Sequence, residues 1–252
     1  NMAQGLLQRE QIRAAFGHFV PAEVAKDFLE RYTKDENMLG GERKELTILM
    51  SDLRDSTPLS ESLEPEELIE LMNAYFSEMV LAIRAHGGVV DKFMGDGVMA
   101  LFDRSASDAV TAAVKMQHEL IEYNRAATSV GQPLIYIGVG VNTGKMMLGT
   151  LGEAGRMEGS VISDAVNLAA RLEGLTKLYQ TGVLISGETY LALNKETFSA
   201  RLIDRVAVKG KQKSVMVYEI FDADSDEIRM LKQSDLQNFN EGFELYQTQN
   251  IK

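Results

Sequence analysis

Short apolar runs and longer stretches with helical spacing alternate along the chain. The first apolar runs, at residues 46–50, 89–93 and 98–102, have the length and composition of β-strands. Between the first two runs, apolar residues recur at helical intervals after Pro65 and stop at the glycine pair 87–88. The pattern therefore opens with a strand, a helix and two further strands.

The second part of the chain continues this alternation. A long helix is predicted at residues 106–127 and a buried strand at 134–141. The Thr-Gly-Lys sequence at 143–145 predicts a turn into the apolar run 146–151. A further helix begins after Ser163, a suitable N-cap. Three short strands follow, at residues 183–186, 202–209 and 214–221. The order β-α-β-β-α-β predicts an α+β fold with a ferredoxin-like core and additional strands and helices.

Segments of different character flank this domain. Residues 1–41 predict a helical linker or cap that is interrupted at Pro21, and a polar loop is predicted at 34–45. From residue 223 to residue 252 the chain is first acidic and then has helical spacing. We therefore divide the chain into a helical segment at 1–41, an α+β domain at 42–222 and a C-terminal helical extension at 223–252.

The composition narrows the classes of partner. The chain has 252 residues and a net charge of -11, which argues against nucleic acid, because phosphate backbones require a basic surface. It has no cysteine, so no disulfide framework is expected. No apolar run approaches the roughly 18 residues of a membrane span. We therefore expect no membrane span in this chain and a cytoplasmic location, either by itself or as the cytoplasmic output domain of a larger, membrane-attached protein.

Two carboxylates stand at the ends of predicted strands. The sequence Gly95-Asp96-Gly97 joins two apolar runs and predicts a tight hairpin with a carboxylate at its tip. Asp52 closely follows the first apolar run. If that strand pairs beside the hairpin, the two carboxylates converge and repel each other unless divalent cations lie between them. The alternative is that each aspartate only caps a turn, but their matched positions favour a two-metal site.

Three segments carry a family resemblance. They are Ser-Asp-Leu-Arg at 51–54, Asp-Lys-Phe-Met-Gly-Asp-Gly at 91–97, and the stretch 160–173. Over about residues 42–221 the chain resembles the catalytic domain of class III nucleotidyl cyclases, of the bacterial adenylyl cyclase type. The resemblance implies a lyase that converts ATP to 3′,5′-cyclic AMP and pyrophosphate. It also implies two divalent cations as cofactors, Mg²⁺ or Mn²⁺.

The resemblance assigns roles to residues of the proposed site. Asp52 and Asp96 would bind the cations, and the backbone carbonyl of Leu53 would add an oxygen ligand. Asn167 would orient the ribose. Arg171 lies four residues later on the same helical face and would stabilise the transition state. In the family, the metal-binding aspartates come from one chain, and Asn167, Arg171, Lys92 and Ser160 come from the other. A homodimer with two shared sites is therefore expected.

The expected phosphate contacts lie in two other segments. Lys209 matches the family lysine that binds the terminal phosphates. Thr57 lies in the loop whose backbone amides cradle the phosphates. Asp55 stands where many members have glycine, and its charge is expected to weaken triphosphate binding unless Arg54 or a metal offsets it.

The choice of base is expected to depend on Lys92 and Ser160. A lysine donor and a hydroxyl acceptor complement N1 and the 6-amino group of adenine, whereas guanylyl cyclases of the family place a carboxylate at the lysine position. Lys92 therefore indicates ATP. The alternatives are a guanylyl cyclase, or a catalytically weak cyclase-like module that serves dimerisation or nucleotide sensing.

A last resemblance concerns the segment before the domain. Residues 16–25 resemble the segment that precedes many bacterial cyclase domains and links them to an upstream sensor. We therefore expect a sensor or regulatory domain in the full-length protein.

Overall fold

The structure is a computed structural model that describes residues 41–153, 156–207 and 214–249. Two compact units share the chain. The smaller unit includes residues 146–162, and the larger one consists of residues 45–145 and 163–252. The helical segment predicted at 1–41 lies outside the described residues, except that residue 41 begins a strand.

The larger unit is built on a mixed sheet. The strands of the chain are β1 (Gly41–Leu53), β2 (Val89–Met94), β3 (Gly97–Phe102), β4 (Ile137–Glu153), β5 (Arg156–Ile162), β6 (Val183–Ser186), β7 (Ala200–Val206) and β8 (Val215–Ile220). Seven of the described strands form the path β2-β3-β1-β4-β6-β8-β7. In the smaller unit, β5 pairs antiparallel with the last part of β4.

The helices fill the connections between strands. They are α1 (Ser56–Ser62), α2 (Pro65–Ala85), α3 (Ala106–Val130), α4 (Asp164–Tyr179), α5 (Gly187–Ala192), α6 (Asp226–Ser234) and α7 (Leu236–Gln249). The order β1-α2-β2-β3-α3-β4, with the four strands side by side as β4-β1-β3-β2, is the predicted ferredoxin-like core. The predicted α+β fold is therefore confirmed.

Local sequence signals explain where the long helices begin. Pro65 occupies the first turn of α2, where Glu64 and Glu67 form a capping box. Ser105 caps α3 by accepting a hydrogen bond from the Ser107 amide. Ser163 caps α4 in the same way, as its sequence position predicts.

Helices α2 and α3 cover one face of the sheet. The packed residues there are fully buried and include Leu49, Met79, Ile83, Ala100 and Ala113. Side chains of a strand alternate between the two faces, so the neighbouring positions of β1, β2 and β3 belong to the opposite face. We call that opposite face the second face.

Two local predictions were wrong, and one helix was missed. β1 begins at Gly41, inside the predicted loop. β4 runs without a turn through residues 143–145. Thr143 stays extended there because its amide donates to Thr189 Oγ1 and its hydroxyl hydrogen-bonds with Thr47 at 2.9 Å. Helix α1 was not predicted, because seven residues are too few for a periodic signal.

The C-terminal helices pack on the domain. Lys232 of α6 donates to Glu219 and to Asp224, at 2.6 Å each. Arg201 of β7 bonds to the same Glu219 and lies 4.3 Å from the ring centroid of Phe239 in α7. The described part of the chain has no helix that is long and apolar enough to cross a membrane.

Candidate active site

Asp52 lies at the end of β1, beside the turn between β2 and β3. The register pairs Ser51 with Val98, so Asp52 and Gly97 are the next facing positions. A side chain at position 97 would place its Cβ 3.0 Å from Asp52 Oδ1 and 2.7 Å from the carbonyl oxygen of Ser51. Glycine is therefore required there for the Asp52 carboxylate to lie against the hairpin.

The second aspartate lies at the tip of that hairpin. β2 ends at Met94 and β3 begins at Gly97, so the turn consists of Gly95 and Asp96, as predicted. Oxygen Oδ2 of Asp96 is buried and has no hydrogen-bond donor in the described part of the chain. A buried carboxylate oxygen without a partner is costly, and a bound cation would satisfy it.

The two aspartates interact electrostatically. Burial raises the pKa of the Asp52 carboxyl, and repulsion from Asp96 raises it further, while a hydrogen bond from the backbone of Leu53 opposes the rise. Within the described ranges, no group of three or more His, Asp or Glu side chains is arranged to hold a metal ion. The described residues therefore offer this pair of carboxylates as a candidate cation site without a third carboxylate or imidazole ligand.

A third carboxylate approaches this pair from α4. Glu173 is half-buried, and its pKa is raised to about 7, first by burial and then by the nearby Asp52. The sequence motif included Glu173, but no role was predicted for it. The signal was its burial next to other charges, which depends on packing and cannot be found by spacing alone.

Arg54 holds the end of β1 to the end of α4. Its guanidinium donates to the carbonyl oxygens of Thr181 and Thr176. These carbonyls lie at the C-terminus of α4, where a cation is favoured by the helix dipole. The first residue after the Asp52-Leu53 pair thus fixes the strand end to α4.

The charge of Asp55 is offset by Lys177 of α4. The two side chains form an exposed ion pair with an Nζ to Oδ1 distance of 2.7 Å. The hydrogen bond from Lys177 is the main cause that lowers the pKa of Asp55, and Arg54 contributes least. Prediction from sequence named Arg54 or a metal for this role and missed Lys177.

Asn167 and Arg171 lie on the exposed side of α4. The buried side of the helix carries Leu168, Ala169 and Leu172. In the described part of the chain, neither Asn167 nor Arg171 has a hydrogen bond or an ion pair with Asp52 or Asp96. Among the described residues, no hydrogen bond or ion pair therefore joins these two halves of the predicted site.

The structure describes the side chains of only some of the remaining predicted site residues. Lys92 lies in β2, and its side chain is 41% exposed. Thr57 is an exposed residue in the first turn of α1. Ser160 lies in β5 opposite Gly149, but its side chain lies outside the described set. Lys209 lies outside the described residues, so its phosphate contact stays a prediction.

Comparison with known proteins identifies the family. A family model for the adenylate and guanylate cyclase catalytic domain matches residues 41–221. The chain belongs to this family. The family membership and the fold predicted from the sequence are therefore confirmed.

Individual relatives show how the cyclase domain compares. An adenylate cyclase of Anabaena cylindrica is 38% identical over 213 residues, which cover 82% of this chain and 42% of that protein. The crystal structure of the adenylyl cyclase CyaB from P. aeruginosa matches with a TM-score of 0.66 and 34% identity, over 75% of this chain and 99% of that one. The chain spans less than half of the length of the curated relatives that lead the comparison.

A guanylyl cyclase structure matches about equally well. The crystal structure of Cya2 has a TM-score of 0.61 and 35% identity, over 74% of this chain and 96% of that one. Overall likeness therefore supports cyclase chemistry but does not separate ATP from GTP. The choice of base must be argued from the residues of the site.

Proposed function

We propose that this chain is the catalytic domain of an adenylyl cyclase that converts ATP to 3′,5′-cyclic AMP and pyrophosphate. The observation that carries the proposal is the pairing of Asp52 with Asp96 beside Gly97. One carboxylate oxygen is buried without a donor, and the other carboxyl has a raised pKa. A divalent cation removes both costs, and Mg²⁺ commonly binds one or two carboxylates together with substrate phosphates.

The aspartates and the α4 residues divide the chemistry between them. Mg²⁺ or Mn²⁺ ions held by Asp52 and Asp96, with the carbonyl of Leu53 as a further ligand, would activate the ribose 3′-hydroxyl and offset charge on the leaving pyrophosphate. Asn167 hydrogen-bonds the ribose and orients that hydroxyl. Arg171 donates to the α-phosphoryl oxygens, where negative charge accumulates during in-line attack.

Phosphate and base contacts complete the proposed site. Lys209 binds the terminal phosphates, and the backbone around Thr57 contacts the triphosphate. Lys92 donates to N1 of adenine, and the Ser160 hydroxyl accepts a hydrogen bond from the 6-amino group. The support for ATP is the lysine at position 92, because the guanine N1–H would meet an ammonium donor there and no acceptor.

We also propose that the active unit is a homodimer with shared sites. Its support is that Asn167 and Arg171 are exposed on α4 and, in the described part of the chain, have no hydrogen bond or ion pair with the aspartates. Asp52→Ala and Arg171→Ala proteins should each be inactive. When they are mixed, half of the dimers are mixed by random pairing and each carries one intact site, so about one quarter of wild-type activity should return.

The mixing experiment distinguishes the shared site from a site within one chain. Subunit exchange is followed independently, for example with differently tagged chains. Return of activity as mixed dimers form supports sharing. Exchange without any return of activity would show that the site is built within one chain.

The cyclase domain is proposed to act in the cytoplasm, as the catalytic part of a longer, regulated protein. ATP, the proposed substrate, is abundant there. The relatives are longer than this chain, which covers 42% of the Anabaena enzyme. An upstream sensor or regulatory domain is therefore part of the proposal.

The test of the activity uses the purified chain with ATP or GTP and with Mg²⁺ or Mn²⁺. We expect cyclic AMP from ATP, dependence on the divalent ion, and loss of activity in Asp52→Asn and Asp96→Asn. Asp226→Asn is the control, because it removes the same charge at an exposed position of α6. Cyclic GMP as the main product, or full activity of both variants with unchanged metal dependence, would refute the proposal.

A further inference from the structure

An irregular pairing aims Lys92 at the second face. Val90 of β2 pairs with Ala100 of β3, but the next pair is Lys92 with Met99, so Asp91 is an extra residue in a β-bulge. Val90 and Ala100 belong to the core under α2 and α3. Without the bulge, strict alternation would turn Lys92 toward the same core, because a shift of one residue exchanges the two faces.

The residue after Lys92 returns to the helix side. Phe93 pairs with Val98, and its ring lies 4.7 Å from that of Phe76 in α2. Lys92 therefore lies on the face opposite α2. Its partner Met99 pairs on the other side with Met50 of β1, two residues before Asp52. The bulge thus places Lys92 and Asp52 on the same face of the sheet.

The bulged residue also holds the lysine. Oxygen Oδ2 of Asp91 lies 3.4 Å from Lys92 Nζ, and the two side chains are 13% and 41% exposed. This buried oxygen has no hydrogen bond in the described part of the chain, so the ammonium is the charged group that compensates it. Burial raises the pKa of Asp91, and Lys92 opposes the rise. An ammonium has three N–H donors, so one ion pair leaves others for a ligand.

We propose that Asp91 is a positioning residue for purine recognition, which holds the Lys92 ammonium toward adenine and excludes a carboxylate from position 92. The inference rests on the proposed role of Lys92 in reading the base. A carboxylate at position 92 would accept hydrogen bonds from N1–H and the 2-amino group of guanine. Beside the largely buried Asp91, however, it would be repelled by a like charge in a partly desolvated setting. Asp91 therefore favours adenine in two ways: it positions the Lys92 donor, and it disfavours the carboxylate that would bind guanine.

The first test measures how well the enzyme distinguishes ATP from 1-deaza-ATP, which lacks the N1 acceptor. Wild type should prefer ATP by about ten- to a hundredfold in kcat/KM, the scale of one lost hydrogen bond. Lys92→Met should remove this preference. Asp91→Asn should remove most of it, mainly through a higher KM for ATP, and Asp91→Glu should partly restore it. Asp226→Asn, which breaks an exposed pair with Arg229, should keep the wild-type preference.

The ratio of two substrates on one enzyme does not depend on the fraction that is folded. A purely structural role for Asp91 would lower activity with both nucleotides equally and leave the ratio unchanged. The measurement therefore remains decisive if Asp91→Asn is less stable than wild type.

The second test introduces the carboxylate itself. Lys92→Glu alone should convert GTP poorly, because Asp91 repels the new side chain. Lys92→Glu combined with Asp91→Asn should produce at least about tenfold more cyclic GMP, since relief of one desolvated like-charge contact is of that order. Both proteins are compared at the same GTP and Mn²⁺ concentrations.

The outcomes separate this inference from the proposed function. If Lys92→Met keeps the wild-type preference for ATP over 1-deaza-ATP, Lys92 does not read the base, and the inference falls with that role. If Lys92→Met loses the preference while Asp91→Asn keeps it, and Lys92→Glu gains GTP turnover equally with or without Asp91, the role of Lys92 stands and the inference about Asp91 is wrong.

Discussion

Replacing Gly140 with alanine tests whether α4 is held directly against β4. A Cβ at this position would lie closer than 3.0 Å to the carbonyl oxygen of Ala169 and to the amide nitrogen of Glu173. Both are backbone atoms of α4, so no side chain can rotate away. The helix would have to retreat from the sheet, and it carries Asn167 and Arg171.

The expected cost follows from the size of that retreat. Ordinary van der Waals contact begins at 3.4 Å, so these backbone atoms of α4 must move by slightly more than one ångström. Overpacking of a closed interior costs about 1–3 kcal/mol, and a clash with backbone belongs at the upper end. For a domain of this size about 3 kcal/mol lowers the melting temperature by roughly 6–12 °C. A misplacement of about 1 Å at catalytic groups costs about a hundredfold in rate.

Gly174→Ala is the matched control on the same helix. A Cβ there meets nothing within 4 Å, and alanine stabilises a helix interior by about 1 kcal/mol relative to glycine. Thermal unfolding and cyclase activity are measured for both variants. We expect Gly140→Ala to lose stability and activity, and Gly174→Ala to gain stability with unchanged activity. If Gly140→Ala melts within about 1 °C of wild type at full activity, the close packing of α4 on β4 is wrong.

Three further predictions concern charged groups. Lys232→Met should lower the free energy of unfolding, measured with denaturant, by about 3 kcal/mol, because it leaves the buried Glu219 with one partner. Arg229→Ala removes an exposed ion pair and should cost less than about 0.5 kcal/mol. Equal losses in the two variants would contradict this prediction. The pKa of Glu173 is about 7 in the folded protein and ordinarily 4.5, so the folded state binds the extra proton and stability should fall as pH rises between these values. In metal-free buffer Glu173→Gln should lack this fall between pH 5 and pH 8, and an unchanged pH profile would refute the assignment. Lys177→Ala should raise the KM for ATP, because it leaves the negative charge of Asp55 without its ion-pair partner. Adding Asp55→Gly should reverse the increase. A KM that responds to neither change would show that this loop does not contact the triphosphate.

The elements that the sequence predicted correctly are those with strong local signals. The hairpin around Gly95 and Asp96 follows from turn chemistry between apolar runs, and the start of α4 follows from the cap at Ser163. The continuous β4 was missed because its Thr-Gly-Lys segment has turn composition. Contacts of Thr143 with distant strands and helices keep it extended, and such contacts are not visible in local sequence.

The candidate site also combines features that local sequence signals predict with features that depend on distant contacts. The positions of Asp52 and Asp96 were predicted because each follows an apolar run, and the register brings them together. The contacts of Glu173, Lys177 and Asp91 with the candidate site were not predicted. These contacts depend on the packing of α4 and on a one-residue bulge in β2, and neither has a signature in the spacing of residue types.

The attachments of α4 have a consequence for how the cyclase works. Gly140 lets the helix lie directly on β4, and Arg54 and Lys177 join its C-terminal end to the segment that follows Asp52. Within one chain, the strand end that carries Asp52 is therefore attached to the helix that carries Arg171. If the sites are shared, these two parts of a chain serve different sites. The geometry of each site then depends on how the two chains are oriented, because the aspartates of one chain and the Arg171 of the other are joined only through the dimer contact. We therefore expect activity to change with subunit arrangement while the stability of each chain stays constant.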